Sequence, residues 1–134
     1  MTESARPADQ AWARVGRATY VSFTSCRKDG SPVSTPVWIA PEGDDLYFFS
    51  DTDAFKVKRI RNNPAVTLQP CDVRGRVKDG TPMVTGVAEV LDHADSPRVR
   101  RIVNRKYRVL GTLGTFFSRL RGSEAAIAIR IRKA

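Results

Sequence analysis

The chain has 134 residues, 41% of them hydrophobic and 28% charged, the make-up of one globular domain, which excludes a disordered chain and a disulfide scaffold. Twenty-three Lys and Arg (17 Arg, 6 Lys) against 14 Asp and Glu leave a net charge of +9. That excess calls for an anionic partner, and nucleic acid, a phosphorylated cofactor and an acidic membrane surface all satisfy it.

Residues 7–16 (PADQAWARVG) are predicted to form a helix between Pro7 and Gly16, with Ala8, Ala11, Trp12 and Val15 on one face. Residues 17–25 are rich in β-formers. Lys28-Asp29-Gly30 predicts a type I′ hairpin turn, and Val33 to Ala40 the returning strand. Glu42 to Asp45 is a second turn, and Leu46 to Ser50 a third strand. The period then changes. Over 53–62, Ala54, Val57 and Ile60 form one stripe, with Lys56, Lys58, Arg59 and Arg61 elsewhere. This is a short amphipathic helix, with Asp51, Thr52 or Asp53 as its cap and Pro64 as its stop. Ala65 to Gln69 is a fourth strand. KDGTP at 78–82 repeats KDGSP at 28–32 and predicts a second hairpin of the same kind, leading into a fifth strand, Met83 to Leu91. Ser96-Pro97 opens a helix with Val99, Ile102, Val103 and Leu110 on its apolar face, continued after Gly111 over 112–121. Glu124 to Arg132 alternates, as a half-buried last strand does. No linker divides residues 1–134. The expectation is one mainly β domain: a six-stranded antiparallel barrel, closed so that no edge remains, with helical insertions at 53–62 and 96–121. Its core is thin, which favours a dimer.

No apolar run approaches the ~18 residues of a membrane span. The start of the chain carries Glu3, Arg6 and Asp9 and no apolar stretch, so no signal peptide is visible. Cys26 and Cys71 with His93 are too few ligands for a structural zinc site, and no metal is expected. A reduced, cytoplasmic protein is therefore expected. His93 lies in a turn and reads as exposed. The pairs Asp44-Asp45 and Asp92/Asp95 read as turn and cap residues. Neither phosphate-loop nor dinucleotide glycine motif is present. No side chain is identified as catalytic, so any chemistry is expected to come with a cofactor. The local candidate is LYFFSDTDAFKVKRIRNNP, residues 46–64, where a strand ending in Ser50 runs into a helix carrying Lys56. A helix start favours an anion, Ser50 supplies a hydroxyl and Lys56 a point charge. A phosphate site and a surface helix with solvated basic residues fit this spacing equally. The Arg98, Arg100, Arg101, Arg105, Lys106, Arg108 cluster reads as a solvated helix face or a landing strip for a polyanion. Nucleic acid is disfavoured, because no base-stacking set accompanies the cluster.

From Arg17 to Leu91, 75 of 134 residues, the chain resembles the pyridoxamine-phosphate-oxidase-like superfamily with its FMN-binding split barrel. The carriers are DG-x-P before strand two, P-V-W within it, strand three running into K-x-K-R, R-x-N-P-x-V before strand four, and T-G-x-A in strand five. Within that superfamily it is most similar to the small proteins that use the deazaflavin coenzyme F420. The resemblance implies a six-stranded split barrel, an obligate homodimer and cofactor sites at the dimer interface. It places Lys56 on the phosphate-binding lysine, Ser50 on the hydroxyl closing strand three and Phe49 beside the ring system. Ser34, Thr35, Pro36, Val37 and Trp38 fall on the segment lining the isoalloxazine. FMN-type oxidases tend to carry Arg and Lys on that strand, where this chain has Thr35 and Ala40, and Phe55 stands where Arg often precedes the lysine. These departures, with the charge excess, favour coenzyme F420 over FMN. The implied activity is hydride transfer from the reduced deazaflavin to an electron-poor small molecule. An FMN-dependent oxidoreductase and a non-enzymatic cofactor- or polyanion-binding protein are the alternatives. The substrate and proton donor are not legible.

Overall fold

The computed structural model describes residues 7–109 and 126–134. Leu110, the predicted helical stretch 112–121 and the first residues of the predicted last strand lie outside them. In chain order the elements are α1 (Pro7–Arg17), β1 (Tyr20–Cys26), β2 (Pro32–Val37), β3 (Ala40–Glu42), β4 (Asp45–Asp51), α2 (Phe55–Asn62), β5 (Ala65–Cys71), β6 (Val84–Val90), a 3₁₀ turn (His93–Asp95), α3 (Ser96–Val109) and β7 (Ala126–Lys133).

Two turns differ from the sequence expectation. No non-glycine residue described has a positive φ, so Asp29 cannot occupy a type I′ turn, which needs two such residues. Instead Gly30 (φ 88°) alone takes the left-handed conformation, the Arg27 N–H donates to Ser31 O, and the Gly30 N–H donates to Arg27 O. This is a three-residue loop of a type I turn followed by a glycine bulge. After β5 the same device recurs at Asp72–Arg76, with Gly75 at φ 86°. There the Asp72 carboxylate accepts the Arg74 and Arg76 N–H groups. The second KDG forms a separate turn further along the same connection.

The seven strands among the described residues form one antiparallel sheet in the order β2-β1-β5-β6-β7-β4-β3. The expected six-stranded closed barrel is thus replaced by seven strands whose hydrogen-bonded order has two edges. Those edges are adjoining pieces of one segment. The predicted strand 33–40 breaks at Trp38 and Ile39, so β2 pairs with β1 while β3 pairs with β4. Pro36 and Pro41 flank the break. Neither has an N–H to give a ladder, and edge strands are where proline is tolerated.

Two apolar clusters flank the sheet. One joins Trp12 and Val15 of α1 and Val57 and Ile60 of α2 to Phe23, Phe48, Leu68, Ile129 and Ile131. The Phe23 and Phe48 rings lie 4.9 Å apart, tilted by 58°. The other packs Val99, Ile102, Val103 and Tyr107 of α3 on Tyr47, Phe49, Leu91, Ala126 and Ala128. Residues of β7 alternate between the clusters, so Ala126 to Ile129 are all buried. The expected half-buried strand is buried on both faces here because α3 covers the second one.

Gly86 lies where β6, β7 and α1 meet. A Cβ there would stand 2.6 Å from Ile131 Cγ2, 3.0 Å from Arg132 O and 3.4 Å from Trp12 Cη2. Backbone cannot yield as a flexible side chain can. Gly86→Ala is therefore expected to destabilise the fold by about 1–3 kcal/mol, read as a lower urea midpoint at unchanged slope.

The basic cluster on α3 is not one solvated face. Arg105 pairs with Glu42 at 3.1 Å, and Arg98 Nη1 lies 3.5 Å from the Tyr47 hydroxyl. Lys106 turns inward and donates to Gly16 O, Ala18 O and Ile39 O. Beside it the buried Tyr107 hydroxyl reaches Thr19 O at 2.9 Å and Ile39 O at 2.7 Å. These two residues tie the end of α1 and the β2–β3 corner to α3.

Candidate functional site

β4 delivers the chain into α2 through a tight turn in which the Ala54 N–H donates to Asp51 O. The helix begins at Phe55, two residues later than predicted. Its N-cap is Ala54, with no side-chain cap in place of the expected Asp51, Thr52 or Asp53. An uncapped helix start keeps its N–H groups for solvent or a ligand.

Lys56 is half-buried at this start. Withdrawal from water pushes its ammonium below the ordinary lysine range; the neighbouring Arg59 adds to that, and Asp51 opposes it. None of the three ion pairs among the described residues involves Lys56. A cation that is partly desolvated and lacks a paired carboxylate gains most from an arriving anion. Ser50 is buried at the end of β4, its hydroxyl donating to Asp51 O at 3.3 Å.

Strand alternation separates Ser50 from its neighbour. Phe49 belongs to the cluster under α3, so its side chain and that of Ser50 project to opposite faces of β4. The two residues thus share a strand but no face. The β2 candidates divide in the same way. Ser34 and Pro36 are exposed, while Thr35 and Val37 turn inward. Ser34 Oγ and Thr24 Oγ1 share a hydrogen bond of 2.6 Å across the β1–β2 pair. Thr35 Oγ1 is buried with no partner among the described residues, an arrangement that a bound group can relieve. Trp38, at the corner, stacks on Tyr107 (4.9 Å, 16°) and meets Tyr20 edge-on at 6.0 Å. Lys56 and Ser50 thus lie at the β4–α2 turn, and Thr35 lies on the edge strand β2.

Arg59 and Arg27 were not singled out from the sequence, yet Arg59 adds its charge to Lys56 and Arg27 adds its own to Arg59. The available signal was spacing, since Arg59 follows Lys56 by three residues on one helix. Arg27 lies in the β1–β2 connection, and the packing of α2 on β1 brings it near. Cys26 and Cys71 are both free thiols. Tyr20 pairs with Cys71, and Cys26 lies six residues further along β1, about 20 Å away, far beyond disulfide reach. Among the described residues, no group of three His, Cys, Asp or Glu side chains could hold a metal ion.

The antiparallel sheet with its inserted helices is the fold of the pyridoxamine-phosphate-oxidase-like proteins. The chain belongs to the pyridoxamine 5′-phosphate oxidase family, whose sequence profile matches residues 8–134. Among solved structures it is similar to an FAD-binding protein from Mesorhizobium loti, with 25% identity, a TM-score of 0.65, and coverage of 100% of this chain and 92% of that one. An F420 reductase is 20% identical, with a TM-score of 0.63 and coverage of 98% and 96%. HutZ, the heme storage protein of Vibrio cholerae, shares the fold at 11% identity, with a TM-score of 0.65 and coverage of 96% and 92%. No curated protein matches the chain.

Proposed function

We propose that the protein is a homodimeric, cytoplasmic reductase that uses the deazaflavin coenzyme F420 to reduce an electron-poor small molecule. The observation that carries this reading is Lys56, a half-buried cation at the start of α2 that enters none of the ion pairs among the described residues. Family membership supports oxidoreductase chemistry, and the F420 reductase among the structural neighbours supports the deazaflavin. β2 supports it as well, because Thr35 stands where FMN-type relatives tend to place a cation. When bound, the reduced deazaflavin supplies a hydride.

The chain's own residues would bind and orient. Lys56 and Ser50 would hold the phosphate. The buried Thr35 hydroxyl would hydrogen-bond a ring edge, with Ser34, Pro36 and Val37 forming the rest of that wall. Phe49, packed under α3, and Trp38, fixed by Tyr107, would stiffen the elements around it and help exclude water. A cytoplasmic location fits two free thiols. Among the described residues no helix is long and apolar enough to cross a membrane. A flavin-nucleotide enzyme on the same fold is the second reading, favoured by the FAD-binding neighbour.

Parallel titrations with coenzyme F420 and FMN, with sedimentation in the same buffer, test the proposal. A dimer that binds the deazaflavin at least about tenfold tighter, about 1.4 kcal/mol, is expected. Tighter FMN binding would put the second reading in its place. A folded monomer that still binds would remove the shared interface.

A further inference from the structure

α2 has a second basic face. Phe55, Lys58, Arg59 and Asn62 stand at i, i+3, i+4 and i+7 and so share one side of the helix. The β1–β2 hairpin adds Arg27 and Lys28, and the six residues line a cleft of about 390 Å³. That volume is in the range of small-ligand sites.

Two of its cations are held in place. Arg59 Nε donates to Ser25 Oγ at 2.8 Å, and Arg27 Nη1 donates to Ser31 Oγ at 3.2 Å. Asp29 is the carboxylate near Arg27, and its Oδ1 already accepts the Ser31 N–H and hydroxyl. None of the three ion pairs among the described residues involves Arg27, Lys28, Lys58 or Arg59. Loss of water and the charge of Arg27 both weaken the hold of Arg59 on its proton, so like charges converge here with Asp29 beside Arg27 as a partial counter-charge. At the mouth Phe55 is 74% exposed, with Lys58 Nζ 5.4 Å from its ring centroid.

We propose that this cleft binds a nucleoside di- or triphosphate, with the base stacked on Phe55 and the phosphates held by Arg27, Lys28 and Arg59. Arginine pairs suit phosphate through forked N–H donors, and an exposed ring suits a flat base. A chain of carboxylates would use the cations and leave the ring bare, whereas a nucleotide uses both.

Calorimetric titrations of the full chain at low salt, with ADP, AMP, tripolyphosphate and tetraglutamate, test this. ADP is expected to bind about tenfold tighter than AMP. Phe55→Ser should weaken ADP about five- to tenfold and leave tripolyphosphate unchanged. Joint Arg27→Gln and Lys28→Gln should weaken both by about tenfold or more. A competition arm identifies the source. ADP displaced by FAD but not by FMN means the nucleotide arrives as half of a dinucleotide, and ADP indifferent to FAD means it arrives alone. Tetraglutamate binding as tightly as ADP, with Phe55→Ser silent, would reduce the cleft to a diffuse field and overturn the proposal. Phe55→Ser turning a dimer into a monomer without altering ADP binding would overturn it too, by assigning the ring to a second copy of the chain. No arm contains coenzyme F420, so failure here leaves the reductase reading standing.

Discussion

Lys56→Ala is expected to weaken cofactor binding ten- to a hundredfold, about 1.5–3 kcal/mol, the worth of a charge-assisted hydrogen bond to phosphate. Folding stability should hold or rise slightly. Burial already disfavours the Lys56 ammonium in the folded chain, and none of the ion pairs described depends on it. Arg61→Ala is the control: it lies on the same helix, is exposed, and changes the net charge equally. Parallel dissociation constants decide the matter. Equal losses from both variants would mean that the field of a +9 chain binds the ligand, and that the β4–α2 turn is not a site.

Lys106→Met is expected to cost about 2–4 kcal/mol of folding stability, because buried carbonyls left without donors each cost about 1–3 kcal/mol. Gly16 O and Ala18 O would lose this donor, while Ile39 O would keep the Tyr107 hydroxyl. The effect should depend on pH. Burial pushes Lys106 down to about 8 from the ordinary 10.5. Between those values the unfolded chain holds a proton that the folded chain has released. The Lys106 contribution to stability is therefore lowest below about pH 8 and rises above it. Tyr107 acts the other way. Burial keeps its phenol protonated beyond the usual range, so its contribution falls once the unfolded chain ionises near 10.0. Urea midpoints for the parent and Lys106→Met, from pH 7 to about 9.5 and so below the range where Tyr107 acts, check the cost and its dependence on pH. The gap between the two proteins should widen with pH, and a constant gap would mean that Lys106 stays charged throughout.

Sequence alone determined most of the elements, because period and punctuation are local properties. Ala8, Ala11, Trp12 and Val15 mark α1, Pro64 stops α2, and alternation from Ile127 to Ile131 marks β7. The cationic turn at Ser50 and Lys56 was legible for the same reason, being built from residues close along the chain. Only the tertiary structure decided what depends on partners distant in sequence. The segment 33–40 is one run of β-formers, yet it breaks at Trp38 and Ile39 because its halves pair with different strands. Phe49 and Ser50 are adjacent, but α3 claims one face of β4 and separates them. Lys106 sits among arginines in a helix and looked solvated, until packing put three carbonyls around its ammonium. Arg27 and Arg59 are 32 positions apart and become neighbours through the hairpin and the helix packed beside it. Periodicity reports which face of an element is apolar. It does not report which element will cover that face, and that choice set the number of strands, the burial of β7 and the grouping of charge around α2.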